Sequence, residues 1–312
     1  MEIEFRKVTL ADRDLIQGYY DRYQSRSCER CFVNVYLWAG FENITFAEIE
    51  GTLVIASVYG GKTFFAWPAG KKENIAAALR ALEDYAENVL GEDLRLYHLT
   101  PAFFEILDEL QPGRWDIVYS RNRADYVYDR EKLANLTGKK YHGKRNHINR
   151  FVEEHPDWRY EPLSAENAAD AREVAVIWRR ENLCGEEDRF GCENAAADNS
   201  GKKEELCVCL NEIRLFDELA LTGGILYAGD RPVAFTIGEK LSDDTFVVHI
   251  EKALADAQGA YPMINREFIR HECGDYTYIN REEDAGEPGL RRAKMSYKPA
   301  FLEEKGVAVL KK

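Results

Sequence analysis

The sequence has no long apolar run. Its longest, Val174 to Trp178 and Gly223 to Ala228, fall far short of the ~20 residues that span a bilayer. The opening residues, MEIEFRKV, contain no apolar h-region, so no signal peptide is expected and the expected compartment is the cytoplasm. A positive charge excess is also missing: 42 Lys and Arg against 55 Asp and Glu leave a net −13. That balance argues against a surface given over to nucleic acid or anionic lipid, and duplex DNA binding is not expected. Nor is there a cysteine framework. The seven cysteines are odd in number and irregularly spaced. Cys28 and Cys31 form a CxxC with no second one to complete it, and Cys207 and Cys209 lie one residue too close. No His pair at ligand spacing stands nearby. No metal site is expected, and free, partly buried thiols are.

What is present suits packed cores: 312 residues, 45% hydrophobic and 12% aromatic. That length predicts two domains. Thr9 to Asp12 has the form of a capping box. Residues 31 to 38 are strand or buried helix, and periodicity does not decide between them. Runs at 44–49, 52–59 and 63–67, separated by Glu50-Gly51 and Gly60-Gly61, predict an antiparallel meander. A helix follows, with Ile75, Leu79, Leu82, Ala86 and Val89 on one face. Then come a strand at 94–99, a helix opened by Thr100-Pro101, and strands at 115–119 and 125–128. His155-Pro156 breaks the chain, so the boundary is placed between domains 1–155 and 156–312. Beyond it, Ser164 is expected to cap a helix. Residues 185–205 are nearly devoid of apolar side chains and predict a loop able to act as a lid. A helix over 206–219 leads to a second meander, 223–228, 232–239 and 245–252, then a helix from Pro262 and a strand at 276–280. In the strand at 245–252, strict alternation puts Val247, His249 and Glu251 on one face. The halves share an element order, which predicts a duplicated α+β unit.

Two stretches carry concentrated charge. Lys139 to Arg150, KKYHGKRNHINR, holds Lys139, Lys140, Lys144, Arg145 and Arg150 with no acid among them. It is either a solvated helix face or an anion site for phosphate, carboxylate or RNA backbone. Tyr276 to Pro299 runs from a short strand through Arg281, Glu282, Glu283 and Asp284 to a cationic helix with Arg291, Arg292 and Lys294. It is either a site or a surface salt-bridge patch.

The strings KKYHGKRNHINRF (139–151), DDTFVVHIEKA (243–253), GAYPMINREF (259–268) and YINREEDAGEPGLRRAKMSY (278–297) resemble a bacterial family of tandem GNAT proteins related to the C-terminal domain of phosphatidylglycerol lysyltransferase. The resemblance covers nearly the whole chain, and the same superfamily includes the Fem-type transferases that use aminoacyl-tRNA. It implies two tandem GNAT-like α+β domains, each a mostly antiparallel sheet flanked by helices, with the active site in the second. The implied activity is acyl or aminoacyl transfer from CoA or aminoacyl-tRNA to an amine or hydroxyl. On this reading His249, Glu251, Glu282 and Glu283 are the catalytic candidates. Substrate would be held by Lys139, Lys140, Lys144, Arg145, Tyr278, Asn280, Arg281, Asp284, Arg291, Arg292, Lys294 and Tyr297. An acyl-CoA donor would lie on Gln258, Gly259, Ala260 and Tyr261, where Tyr261 and Met263 replace the small residues of the usual pyrophosphate loop. The alternative is a binding or regulatory protein that keeps the fold without the chemistry. A nucleic-acid-binding module centred on the basic stretch is a weaker third reading, since no RRM, KH or zinc-finger signature is present.

Overall fold

The computed structural model describes residues 3–183 and 202–311. The chain forms two compact units, Met1–Val127 with Glu282–Lys312, and Tyr128–Arg281. This differs from the expected division at 155/156. The reason is a return of the C-terminus: its last strand inserts into the first unit's sheet, a non-local pairing that no local pattern announces.

The first unit opens with β1 (Arg6–Lys7), α1 (Arg13–Arg22) and α2 (Phe32–Glu42). The ambiguous stretch at 31–38 is thus helix, with Phe32, Val33, Val35 and Leu37 buried. The capping box before α1 is formed, Thr9 donating to Asp12 through both N and Oγ1. The meander is β2 (Thr45–Ile49), β3 (Thr52–Tyr59) and β4 (Lys62–Ala66), followed by α3 (Lys72–Tyr85) and β5 (Arg95–Leu99). Ile75, Ala78, Leu79 and Leu82 of α3 are buried in a core with Val54, Phe65, Leu96 and Trp115. Each of the Ile, Leu, Val and Phe side chains contributes roughly 1.5–3 kcal/mol by leaving water. α4 (Pro101–Leu110) starts at the Thr100 cap, whose side chain accepts from the Phe103 N–H, and leads to β6 (Trp115–Tyr119) and β7 (Asp125–Asp129).

The second unit contains α5 (Arg130–Asn135), α6 (His142–Glu154), β8 (Arg159–Pro162), α7 (Ala168–Leu183) and α8 (Lys202–Arg214). α7 begins four residues after the expected cap at Ser164, whose N–H instead bonds Asn167. The lid expected over 185–205 lies outside the described residues as far as 201, and its last four residues open α8. Then come β9 (Thr222–Ala228), β10 (Arg231–Lys240), β11 (Thr245–Ala253), α9 (Ala260–Glu272) and β12 (Tyr278–Asn280). The strands lie in the order β12-β11-β10-β9-β8.

The chain returns to the first unit as α10 (Pro288–Ser296), β13 (Phe301–Glu303) and β14 (Gly306–Leu310). The first unit's sheet runs β1-β2-β3-β4-β5-β14-β6, while β13 pairs with the opening residues of β7. Each unit therefore repeats one arrangement: an antiparallel meander, a helix, and a strand parallel to the meander's last. β4 pairs parallel with β5 across α3, and β11 pairs parallel with β12 across α9. The expected tandem α+β architecture is present. Among the described residues no helix is long and apolar enough to cross a membrane.

Candidate functional site

Where two parallel strands pair only briefly and then diverge, the sheet opens a crevice. In the first unit, β4 and β5 pair at Phe65–Leu96 and Ala66–Tyr97. At the next residue, His98, φ is +54°. That left-handed conformation is costly for a side chain with a Cβ and concentrates at functional sites. Just there lies a cavity of about 170 Å³ lined by Ala66, Trp67, Tyr97 and His98. Trp38, Tyr20 and Phe103 add aromatic walls, and Glu29, Glu42, Glu282 and Glu283 add carboxylates. Glu282 also sits at positive φ, +55°.

The polar side of this cavity is organised by a residue that sequence reasoning missed. Lys305, 1% exposed, donates to Glu29 at 2.5 Å, Asp125 at 2.8 Å and Glu283 at 3.2 Å, with the Cys28 Sγ at 3.6 Å. Its ammonium thus contacts Cys28, Asp125 and Glu283, three groups whose ligand atoms lie close enough together to hold a metal. Burial alone would lower the Lys305 pKa, but the surrounding acids outweigh it and push it well up. Burial raises Asp125, with Lys305 opposing. For Glu29, His98 and Lys305 overcome burial and hold the carboxyl below its usual range. Burial pushes His98 down to about 4 against the pull of Glu29, so its imidazole is neutral at pH 7. Glu42 is raised by burial, with Arg123 opposing. Burial also raises the Cys28 thiol, which stays protonated and lies 3.4 Å from Asp125. Cys28 and Cys31 are both buried, and the Cys31 Sγ donates to the Cys28 carbonyl at 3.2 Å.

The stretch from Arg281 to Tyr297 divides by role. Glu282 and Glu283 reach the cavity wall, and Glu282 accepts from Asn34 at 3.0 Å. Asp284 is fully buried and takes a two-pronged bond from Arg291, both contacts 2.8 Å, with further bonds from Tyr126 and the Gly286 N–H. Those bonds, Arg291 first, drive its pKa far down. Lys294 donates to the carbonyls of Glu282 and Glu283. Asp284, Arg291 and Lys294 thus pin the turn that presents the two glutamates. Arg292 is exposed and Tyr297 is buried.

In the second unit the residue just past β12 is tied to β11 by an ion pair. β12 pairs with β11 only as far as Val247–Asn280, and β11 continues to Ala253. Arg281 donates to Glu251 at 2.8 Å, and Asn265 to its other oxygen at 2.9 Å. Lys144 of α6 is lowered to about 8 by burial and by Arg281, with Glu251 opposing. His249 is in a β-bulge: the register jumps from Gly238–Val248 to Ile237–Ile250 and skips His249. The bulge interrupts the alternation expected along β11. The His249 side chain is 2% exposed and lies 3.1 Å from Glu239. Asn280 is fully buried and Tyr278 half-buried.

The basic stretch is partly structural. Arg145 donates to the carbonyls of Leu136 and Gly138 just beyond α5, whereas Lys139 and Lys140 are exposed. At the start of α9, Gln258 is exposed and Gly259 has φ +90°; a Cβ there would overlap the His147 carbonyl of α6. Ala260 and Met263 are buried, and Tyr261 accepts from Trp178 at 2.9 Å. This glycine is therefore required by close packing of α6.

A family model described as phosphatidylglycerol lysyltransferase, C-terminal, matches residues 20–308. A conserved protein of unknown function from Bacteroides thetaiotaomicron is 35% identical, with TM-score 0.89, over 99% of this chain and 100% of its own. The C-terminal domain of a putative lysylphosphatidylglycerol synthetase from Agrobacterium fabrum is similar in fold, at 15% identity and TM-score 0.65, covering 96% of this chain and 92% of its own. FemX is similar at 9% identity and TM-score 0.59, over 97% and 96%.

Proposed function

The chain belongs to the phosphatidylglycerol lysyltransferase C-terminal family, and from that premise we propose that it transfers an aminoacyl group from the ester of an aminoacyl-tRNA to an amine or hydroxyl. The observation that carries this reading is the acid-walled, aromatic-lined cavity at the crevice between β4 and β5. An aminoacyl ester bears an ammonium beside its reacting carbonyl. Glu282 and Glu283 hold that ammonium, and Trp38, Trp67 and Tyr97 cover the apolar remainder and exclude water. The acceptor's nitrogen or oxygen bonds to the carbonyl carbon as its proton passes to a base. The bond to the ribose oxygen breaks, and that oxygen takes a proton. Glu42, raised above the ordinary carboxylate value, is the wall acid best matched to the proton transfers.

Aminoacyl-tRNA is favoured over acyl-CoA because the Gln258–Tyr261 turn is packed against α6 at Gly259 and tied to Trp178 at Tyr261. A second reading, binding without chemistry, is favoured by Lys305, which already engages Glu29, Asp125 and Glu283. Titration with acetyl-CoA, and with charged and uncharged tRNA at two salt concentrations, separates the readings. The expected result is salt-sensitive binding that prefers charged tRNA, with no saturable CoA binding. Saturable CoA binding without preference for charged tRNA overturns it.

A further inference from the structure

Arg30 stands apart from the other charges of the first unit's cavity. It lines that cavity and is 6% exposed. Its guanidinium lies 5.1 Å from the ring centres of both Tyr20 and Phe103, and Nη1 donates to the Trp67 carbonyl at 2.8 Å. Its Nε is buried without a hydrogen-bond partner. Among the described residues no carboxylate forms a salt bridge with it. The neighbouring Glu29 acts on it only through its field, because that carboxylate is taken by Lys305, Ser27 and His98. A buried guanidinium that lacks a direct counter-ion is costly, and a bound anion relieves that cost. Arg is also the residue best shaped to grip a carboxylate.

We infer that this cavity takes a ligand that carries a carboxylate as well as an ammonium, the carboxylate pairing with Arg30 and the ammonium with Glu282 and Glu283. The inference rests on the reading that the cavity is the substrate site, and it narrows the ligand class. Aromatic walls on either side of Arg30 exclude water from the pair, which strengthens it. Two sources supply such a ligand: an aminoacyl group with an acidic side chain, or a free amino acid with its α-carboxylate.

Isothermal titration of the full chain with four probes tests it. L-glutamic acid α-amide offers only a side-chain carboxylate, L-alanine only an α-carboxylate, and L-glutamine α-amide and L-lysine α-amide offer none. One of the first two is expected to bind at least about 10-fold more tightly than both of the last two. Tighter binding of glutamic acid α-amide assigns the carboxylate to the transferred side chain, and tighter binding of alanine assigns it to a free amino acid. In Arg30→Met that preference should vanish, whereas a purely structural Arg30 would leave it intact. Equal or tighter binding of lysine or glutamine α-amide by the wild-type chain overturns the inference, as does the absence of binding by all four. Discharge of a mixed aminoacyl-tRNA pool, measured in parallel, reports on the transfer reading independently.

Discussion

The two units build the same crevice and fill it differently. In the first, β5 leaves β4 at a left-handed histidine, and the opening is a cavity walled by glutamates and aromatic rings. In the second, the opening beyond Val247 and Asn280 is bridged by Arg281 and Asn265 on Glu251. The first unit sets one buried lysine against three of its acids, Glu29, Asp125 and Glu283. The second neutralises its acid from across the gap. A briefly paired parallel pair of strands is thus followed by a cavity in one copy and by an internal ion pair in the other.

The contrast can be broken at several points. The largest effect is expected from Lys305→Met, which strips the shared cation from three carboxylates. It should lower unfolding free energy by about 3–5 kcal/mol in urea titrations. A loss under about 1 kcal/mol would show that the lysine does not organise the cavity. Next, Gly259→Ala should cost roughly 2–4 kcal/mol, because positive φ and the α6 backbone both oppose a Cβ there. If that turn opened to a ligand, strain alone would remain, about 1 kcal/mol.

The third test uses pH. His98 is at about 4 in the folded chain, below its ordinary 6.5. Its contribution to stability is complete above pH 6.5 and is lost as pH falls through 4, because only the unfolded chain takes up the proton in between. His98→Gln should flatten the stability profile across that window by at most about 3 kcal/mol. An unchanged slope would remove His98 from the buried cluster. The last test is Arg281→Met, which leaves the buried Glu251 carboxylate without its ion-pair partner and should cost about 3 kcal/mol, with ligand affinity of the first unit's cavity unchanged. Lost affinity would erase the distinction between the units.

Much of the fold was legible because its signals are local. Both meanders announce themselves through Glu50-Gly51, Gly60-Gly61 and Gly229-Asp230, and Thr100 caps α4 as its sequence implies. The duplicated order follows from those elements. The domain boundary was not legible, since β14 is a short apolar run whose partners, β5 and β6, lie some two hundred residues earlier. The cavity was hidden for a related reason: its lining comes from separate segments, each contributing one or two charges. Lys305 sits in Leu-Glu-Glu-Lys-Gly, which reads as a solvated turn, and only pairing with distant Glu29 and Asp125 buries it. Glu282 and Glu283 stand out in the sequence because four charges follow a short strand. That Asp284, Arg291 and Lys294 hold the turn which presents them required the hydrogen bonds themselves.

The most direct test compares one carboxylate from each unit. Transfer from a mixed aminoacyl-tRNA pool should fall roughly 10- to 100-fold in Glu282→Gln, whose charge faces the cavity, and stay near wild type in Glu251→Gln, whose charge is spent on Arg281. Loss of transfer in Glu251→Gln with Glu282→Gln unaffected would move the chemistry to the second unit and contradict this account.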